Sequence, residues 1–294
     1  MLQSAFVDSD PNIRRTSSVF LRFVSFFAFV IVVMQLAADV TAQQPAASPT
    51  PTPTPASTPI PVNPDGTQAF TAEQIVESTI ILFGRGGGRI VLDQIRKTTF
   101  ERGKMTVINA AGKNETIPYQ RWIIRGENQQ KDKVRLEQDF PEARFSLLFS
   151  GEKVFGIFND SAFTPTEAAV RTFENQMFRG MDGLLRYKEN ASTIALGDRT
   201  KILGVDYYVI DITDKSGRKT RYYISVKSLK VMMLEYEDGG VQYKRRFYDY
   251  RMAQGTMVPY QTILWAGDKV VEETNIGTIT FGQKVDEGLF PQSQ

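Results

Sequence analysis

The chain of 294 residues contains no cysteine and no histidine. Without cysteine there is no disulfide framework, no thiol nucleophile, no thiolate metal site and no acylated lipobox. Without histidine the chain lacks the commonest metal ligand and the usual general base. Ser-His-Asp, Cys-His, zinc-deaminase and H-E-x-x-H chemistries are excluded together. An excess of one charge is also missing: 35 basic residues face 33 acidic ones, for a net +2, so nothing points to nucleic acid. Hydrophobic residues make up 41% and aromatics 11%, enough for a packed core and too much for a disordered chain.

Long apolar runs are scarce. Phe23–Leu36 spans 14 residues, about 21 Å as a helix, against a hydrocarbon core of about 30 Å. Arg14, Arg15 and Arg22 precede it, and Val40-Thr41-Ala42 offers small residues for cleavage. Residues 1–42 are therefore expected to be a cleaved signal peptide, with an inner-membrane anchor facing the periplasm as the alternative. Eight of the 14 prolines fall between Gln43 and Pro64, where alternating Thr-Pro favours an extended spacer. Residues 43–69 are read as a disordered Pro/Thr-rich linker and 70–294 as the folded domain.

That domain is organised around Val205–Tyr250. Four runs rich in Val, Ile, Tyr and Met alternate there with Asp-Lys-Ser-Gly, Ser-Leu-Lys and Glu-Asp-Gly-Gly. Such close spacing permits only antiparallel hairpins, because parallel neighbours need a long crossover. Further strands are expected at 99–109, 115–127, 131–140, 144–150, 153–159, 257–266 and 269–282. Thr71-Ala72-Glu73-Gln74 is a capping-box pattern opening a helix, with Phe70 and Ile75 placed as a staple. The helix breaks at Gly84–Gly88, and a second short helix is expected over 90–96. The glycine cluster matches neither a P-loop nor a dinucleotide turn, so it is read as a helix-breaking turn. A longer helix is expected from Pro165, capped by Thr164. Its stripe of Val170, Phe173, Met177, Met181 and Leu184 must lie on apolar surface.

Catalytic candidates are weak. Ser150…Lys153 and Ser216…Lys219 match Ser-x-x-Lys but fall in hairpin turns. Asp211/Asp214 and Glu235/Glu237/Asp238 read as solvated strand ends, without the facing geometry of a glycosidase pair. No metal site, cofactor or enzymatic activity is expected.

The order of parts resembles the LolA/LolB-like family of periplasmic lipoprotein carriers and outer-membrane lipoprotein-sorting proteins. The resemblance covers 71–291. It is carried by Gly86-Gly87-Gly88 with Leu92 and Ile95, by FSLLFSGEKVFGIF (145–158), by GVDYYVIDITDKSGRKTRYYISVKSLKVMMLEYEDGG and by RFYDYRMAQGTMVPYQTI (246–263). It implies an α+β fold, mainly antiparallel β: an open curved half-barrel sheet covered by a few helices. It also implies an apolar concave cavity for acyl chains, and an arginine on an early strand that holds the helical cover shut by bonding helix-end carbonyls. Arg125 in Trp122-Ile123-Ile124-Arg125-Gly126 is most like that arginine, although the family usually has Arg-Pro where this chain has Arg-Gly.

Strand alternation places Phe145, Leu147 and Phe149 on one face, and the Ser150–Lys153 turn is read as returning Phe155 and Ile157 beside them. With Phe173, Met177 and Met181 above, this face is the expected acyl-chain site, apolar because unpaired polar groups there are costly. The function expected is a periplasmic, monomeric, non-enzymatic carrier of lipid or lipoprotein acyl chains, served by membrane-bound donor or acceptor proteins. The alternative is an envelope protein–protein interaction module on the same scaffold without a cavity.

Overall fold

The computed structural model describes residues 70–108, 112–141 and 143–291. The signal-peptide and linker expectations lie outside the described residues. Alternation of β-branched and aromatic residues with turn residues produces fourteen strands. They are β1 (Thr98–Ile108), β2 (Asn114–Ile124), β3 (Lys133–Phe140), β4 (Ala143–Ser150), β5 (Lys153–Phe158), β6 (Ser161–Phe163), β7 (Thr193–Leu196), β8 (Thr200–Ile202), β9 (Val205–Thr213), β10 (Lys219–Ser225), β11 (Val231–Asp238), β12 (Val241–Ala253), β13 (Thr256–Ala266) and β14 (Lys269–Phe281). The short strands β6, β7 and β8 were not expected from the sequence.

All fourteen belong to one antiparallel sheet, ordered β6-β5-β4-β3-β2-β1-β14-β13-β12-β11-β10-β9-β7, with β8 hydrogen-bonded to β9. The first six strands form one meander and the last eight another, and β1 pairs with β14 to join them. The sheet does not close on itself: the architecture is the expected open α+β half-barrel.

Among the described residues four helices lie on its inner face: α1 (Ala72–Phe83), α2 (Gly88–Ile95), α3 (Glu167–Phe178) and α4 (Met181–Leu185). Thr71 caps α1, and both halves of the capping box with Gln74 form. Phe70 stays exposed, packing edge-on against Tyr208 instead of stapling to Ile75. Two of the expectations for the longer helix are corrected. It begins two residues later, at Glu167 and not Pro165, because Thr166 and not Thr164 accepts the Ala169 N–H. It also stops at Phe178, and a separate turn of helix follows Gly180.

Two apolar clusters fill the inner face. Ile75, Val76, Ile80 and Phe83 of α1 pack with Leu184 and Leu185 of α4 on Ile210, Tyr222, Ile224 and Leu234. Phe173 of α3 packs on Met105, Tyr119, Leu136, Phe145, Leu147 and Phe149. On the outer face the C-terminal turn is tied down where Arg135 donates to the Leu289 carbonyl, and Phe290 is buried.

Candidate functional site

The connection from β6 to β7 carries α3 and α4 across the inner face from one edge strand to the other. Along the way α3 touches both meanders: Phe173 packs on β1–β4, Asn175 donates to Asp238 at the end of β11, and Gln176 donates to Glu272 of β14. A cavity of about 190 Å³ remains between this cover and the central strands. Its apolar lining includes Phe173, Met177, Met181, Val258, Ile276 and Ile279.

The expected wall residues divide. Phe145, Leu147 and Phe149 share the inner face, but the Phe173 side chain fills the space above them and they do not line the cavity. Phe155 and Ile157 are corrected to the outer face. The turn after β4 has only two residues, Gly151 and Glu152, both with positive φ, as a tight hairpin requires. Ser150 therefore pairs with Lys153, Leu148 with Phe155, and Ser146 with Ile157, while Val154, Gly156 and Phe158 come beside Phe149, Leu147 and Phe145. A one-residue difference in register moves every side chain of a strand to the other face. Gly156 leaves room for the ring of Phe163, which a Cβ would meet at 2.2 Å. Phe173, Met177 and Met181 do lie at the cavity.

The inner face is also far from purely apolar, which corrects the expectation of a greasy concave wall. Arg96, Glu101, Arg121, Arg125, Asp132, Asp182 and Arg245 all line the cavity. Charges survive there because they are paired, which offsets the cost of removing them from water. Arg186, 4% exposed, grips Asp132, 7% exposed, through two hydrogen bonds of 2.8 and 3.0 Å, and donates a third to the Gly126 carbonyl. Asp132 also accepts from the Gly126 N–H at 2.8 Å. Burial, the largest influence, raises the Asp132 carboxyl above its ordinary value, and Arg186 and the Gly126 N–H offset this only in part.

Arg125 reaches the cover. Its Nη2 donates to Asp182 Oδ2 at 2.6 Å, and Arg96 approaches the other oxygen of the same carboxylate at 3.7 Å. Asp182 lies in the first turn of α4. Burial would raise this carboxyl, but Arg125, Arg96 and Arg186 outweigh it and hold Asp182 below the usual carboxylate value. Burial lowers Arg96 to about 10, with Asp182 opposing and Arg125 adding to the fall. The helix-end carbonyl bonds implied for Arg125 come from other residues. Gln129 donates to Met177 O, Tyr222 to Gly180 O and Arg89 to Leu185 O.

Sequence reasoning passed over Arg96, Glu101, Arg121, Asp132, Asp182 and Arg186. A signal for two of them was present: with a period of two, Arg121 falls on the face of buried Tyr119, and Glu101 on the face of buried Met105. Among the described residues no group of three or more acidic side chains is arranged to hold a metal ion.

No protein-family model and no curated protein matches the sequence. Solved structures do. A domain from Vibrio parahaemolyticus, described as an outer membrane lipoprotein-sorting protein domain, superposes with a TM-score of 0.51 at 15% identity, over 68% of this chain and 92% of that one. A DUF1329 family protein from Desulfovibrio piger gives 0.53 at 13% identity, over 74% and 97%. A LolA superfamily protein from Nitrosomonas europaea gives 0.53 at 12% identity, over 76% and 99%. The chain has a LolA-like fold.

Proposed function

We propose that this LolA-like chain is a non-enzymatic binding protein of the bacterial periplasm that carries acyl chains of lipids or lipoproteins beneath α3 and α4. The observation that carries the reading is the construction of the cover. It crosses an open sheet, leaves a cavity under it, and is fastened by polar contacts around Asp182 and Gln129. A cover meant only to seal a core would gain more from apolar packing, since a buried ion pair is often no more stabilising than a hydrophobic replacement. Paired charges instead define one closed position and release it when their partners are displaced. The 190 Å³ cavity is smaller than the roughly 300–1,000 Å³ of ligand-filled pockets, so cargo enters with the cover raised. Met177 and Met181 suit variable chains, being flexible and polarizable. Each methylene moved from water stabilises the complex by about 0.8 kcal/mol. The periplasmic part of the reading is supported by the N-terminal sequence, where Arg14, Arg15 and Arg22 precede the apolar run Phe23–Leu36 and Val40-Thr41-Ala42 offers a cleavage site.

The test is a titration with a fluorescent long-chain fatty acid. The wild-type chain should show saturable binding at micromolar concentration, and Arg125→Leu, which removes the bond from Arg125 to Asp182 of α4, should change the affinity severalfold. Absence of saturable binding by the wild type would overturn the carrier reading.

A further inference from the structure

The cavity holds more positive charge than its carboxylates neutralise. Arg96 and Arg125 share the single carboxylate of Asp182. Arg125 is 9% exposed, and its Nε has no hydrogen-bond partner. Arg245 and Arg186 each have a carboxylate of their own, in Glu272 and Asp132. Arg121 is different. Its nearest acid, Glu101, stands 3.7 Å away and already accepts a 2.6 Å hydrogen bond from Tyr119. Among the described residues the Arg121 guanidinium lies over the Tyr119 ring and makes no hydrogen bond. Five N–H donors thus stand at the cavity wall, facing Glu101 and the charge of Glu272, in a cavity whose lining carries Arg96, Arg121, Arg125 and Arg245 against Glu101, Asp132 and Asp182.

A guanidinium with unspent donors, in a cavity whose lining carries more arginines than carboxylates, is a receptor for a carboxylate or phosphate, which it can bond through two parallel N–H groups. Apolar side chains of β14, Ile276 and Ile279, line the same cavity and continue the site in hydrocarbon character. We infer that the cavity receives a single-chain amphipathic anion, its carboxylate or phosphate on Arg121 and its acyl chain along Ile276 and Ile279 under the cover. This deepens the carrier reading and rests on it: the cargo is chosen by an acidic headgroup as well as by its chain.

Calorimetric titration of the full chain with four probes tests the inference. They are dodecanoate, dodecyl phosphate, the neutral glycerol ester of the same acid, and inorganic phosphate. The two anionic amphiphiles should bind at least about tenfold tighter than the neutral ester, the scale of a charge-assisted hydrogen bond. Their ranking identifies which headgroup is preferred. Arg121→Gln should erase the difference between anion and ester, and Arg121→Lys should restore part of it. Equal binding of ester and anions, or discrimination that survives in Arg121→Gln, would overturn the headgroup site while leaving the carrier reading intact. Binding of inorganic phosphate alone, lost in Arg121→Gln, would overturn both the amphipathic ligand and the carrier reading, leaving a free-anion site. If no probe binds, both fall.

Discussion

Asp182 shows how much one residue in the cover can decide. It lies in the first turn of α4, accepts from Arg125 and faces Arg96, so a single carboxylate joins the helical connection to the residue that follows β2 and to the residue that ends α2. Its folded carboxyl is held below the ordinary value of 3.8, despite burial, by three guanidiniums. The sign follows from linkage. A depressed carboxyl contributes stability that is complete above the unfolded value and is lost as pH falls through the folded one. Asp182→Asn should therefore cost about 2–3 kcal/mol near neutrality, somewhat less than breaking a fully buried pair. The difference from wild type should shrink progressively below pH 3.8, where Asp182 of the unfolded chain takes up its proton before the folded carboxyl does. Urea unfolding of both proteins across the acid range measures this, and a difference that stays constant with pH would show the carboxylate to be disengaged.

At the scale of an element, α3 is held by its ends and by one aromatic anchor. Thr166 caps its start, Gln129 takes up the Met177 carbonyl at its end, and Phe173, 3% exposed, enters the cluster above β4. Truncation of Phe173 to Ala should cost about 3–5 kcal/mol, the range for emptying a buried aromatic site. Met177 lies at the cavity margin, so Met177→Ala should cost distinctly less stability and act mainly on acyl-chain affinity. Thermal unfolding and the fatty-acid titration separate the two effects. Equal destabilisation by both substitutions would mean that Met177 is as deeply packed as Phe173 and the cavity plays no part in binding.

In the molecule as a whole, the sheet is two meanders held together by β1 and β14, the first and last long strands of the chain. Neither meander has another strand neighbour across this seam, and α3 touches both sides of it. Protection against amide hydrogen exchange should be greatest in β1, β2, β13 and β14, and least in the edge strands β6 and β7 and in β8. Exchange in α4 should fall between these limits and slow on adding acyl ligand. Mass-spectrometric exchange with and without dodecanoate measures both. Uniform protection across the sheet would contradict the edge-to-centre gradient.

Much of this was legible in the sequence. Hairpin spacing, alternation and turn chemistry are local properties, and they determined the long strands and their antiparallel pairing, while the open α+β half-barrel was implied by the resemblance to the LolA/LolB-like family. The Thr71–Gln74 capping box was equally local. The face of β5 was legible in principle, since a two-residue turn pairs residues of opposite parity, which moves Phe155 and Ile157 outward. What only the tertiary structure decided was how charges distant in the chain meet. Asp182 lies 57 positions from Arg125, and Arg186 lies 54 from Asp132. No local pattern encodes either pair, and without its partner each charge would read as a solvated surface residue. Burial of charge is tolerable only when the partner is already in place, so the polar character of the cavity comes from the folding of the helical connection over the sheet.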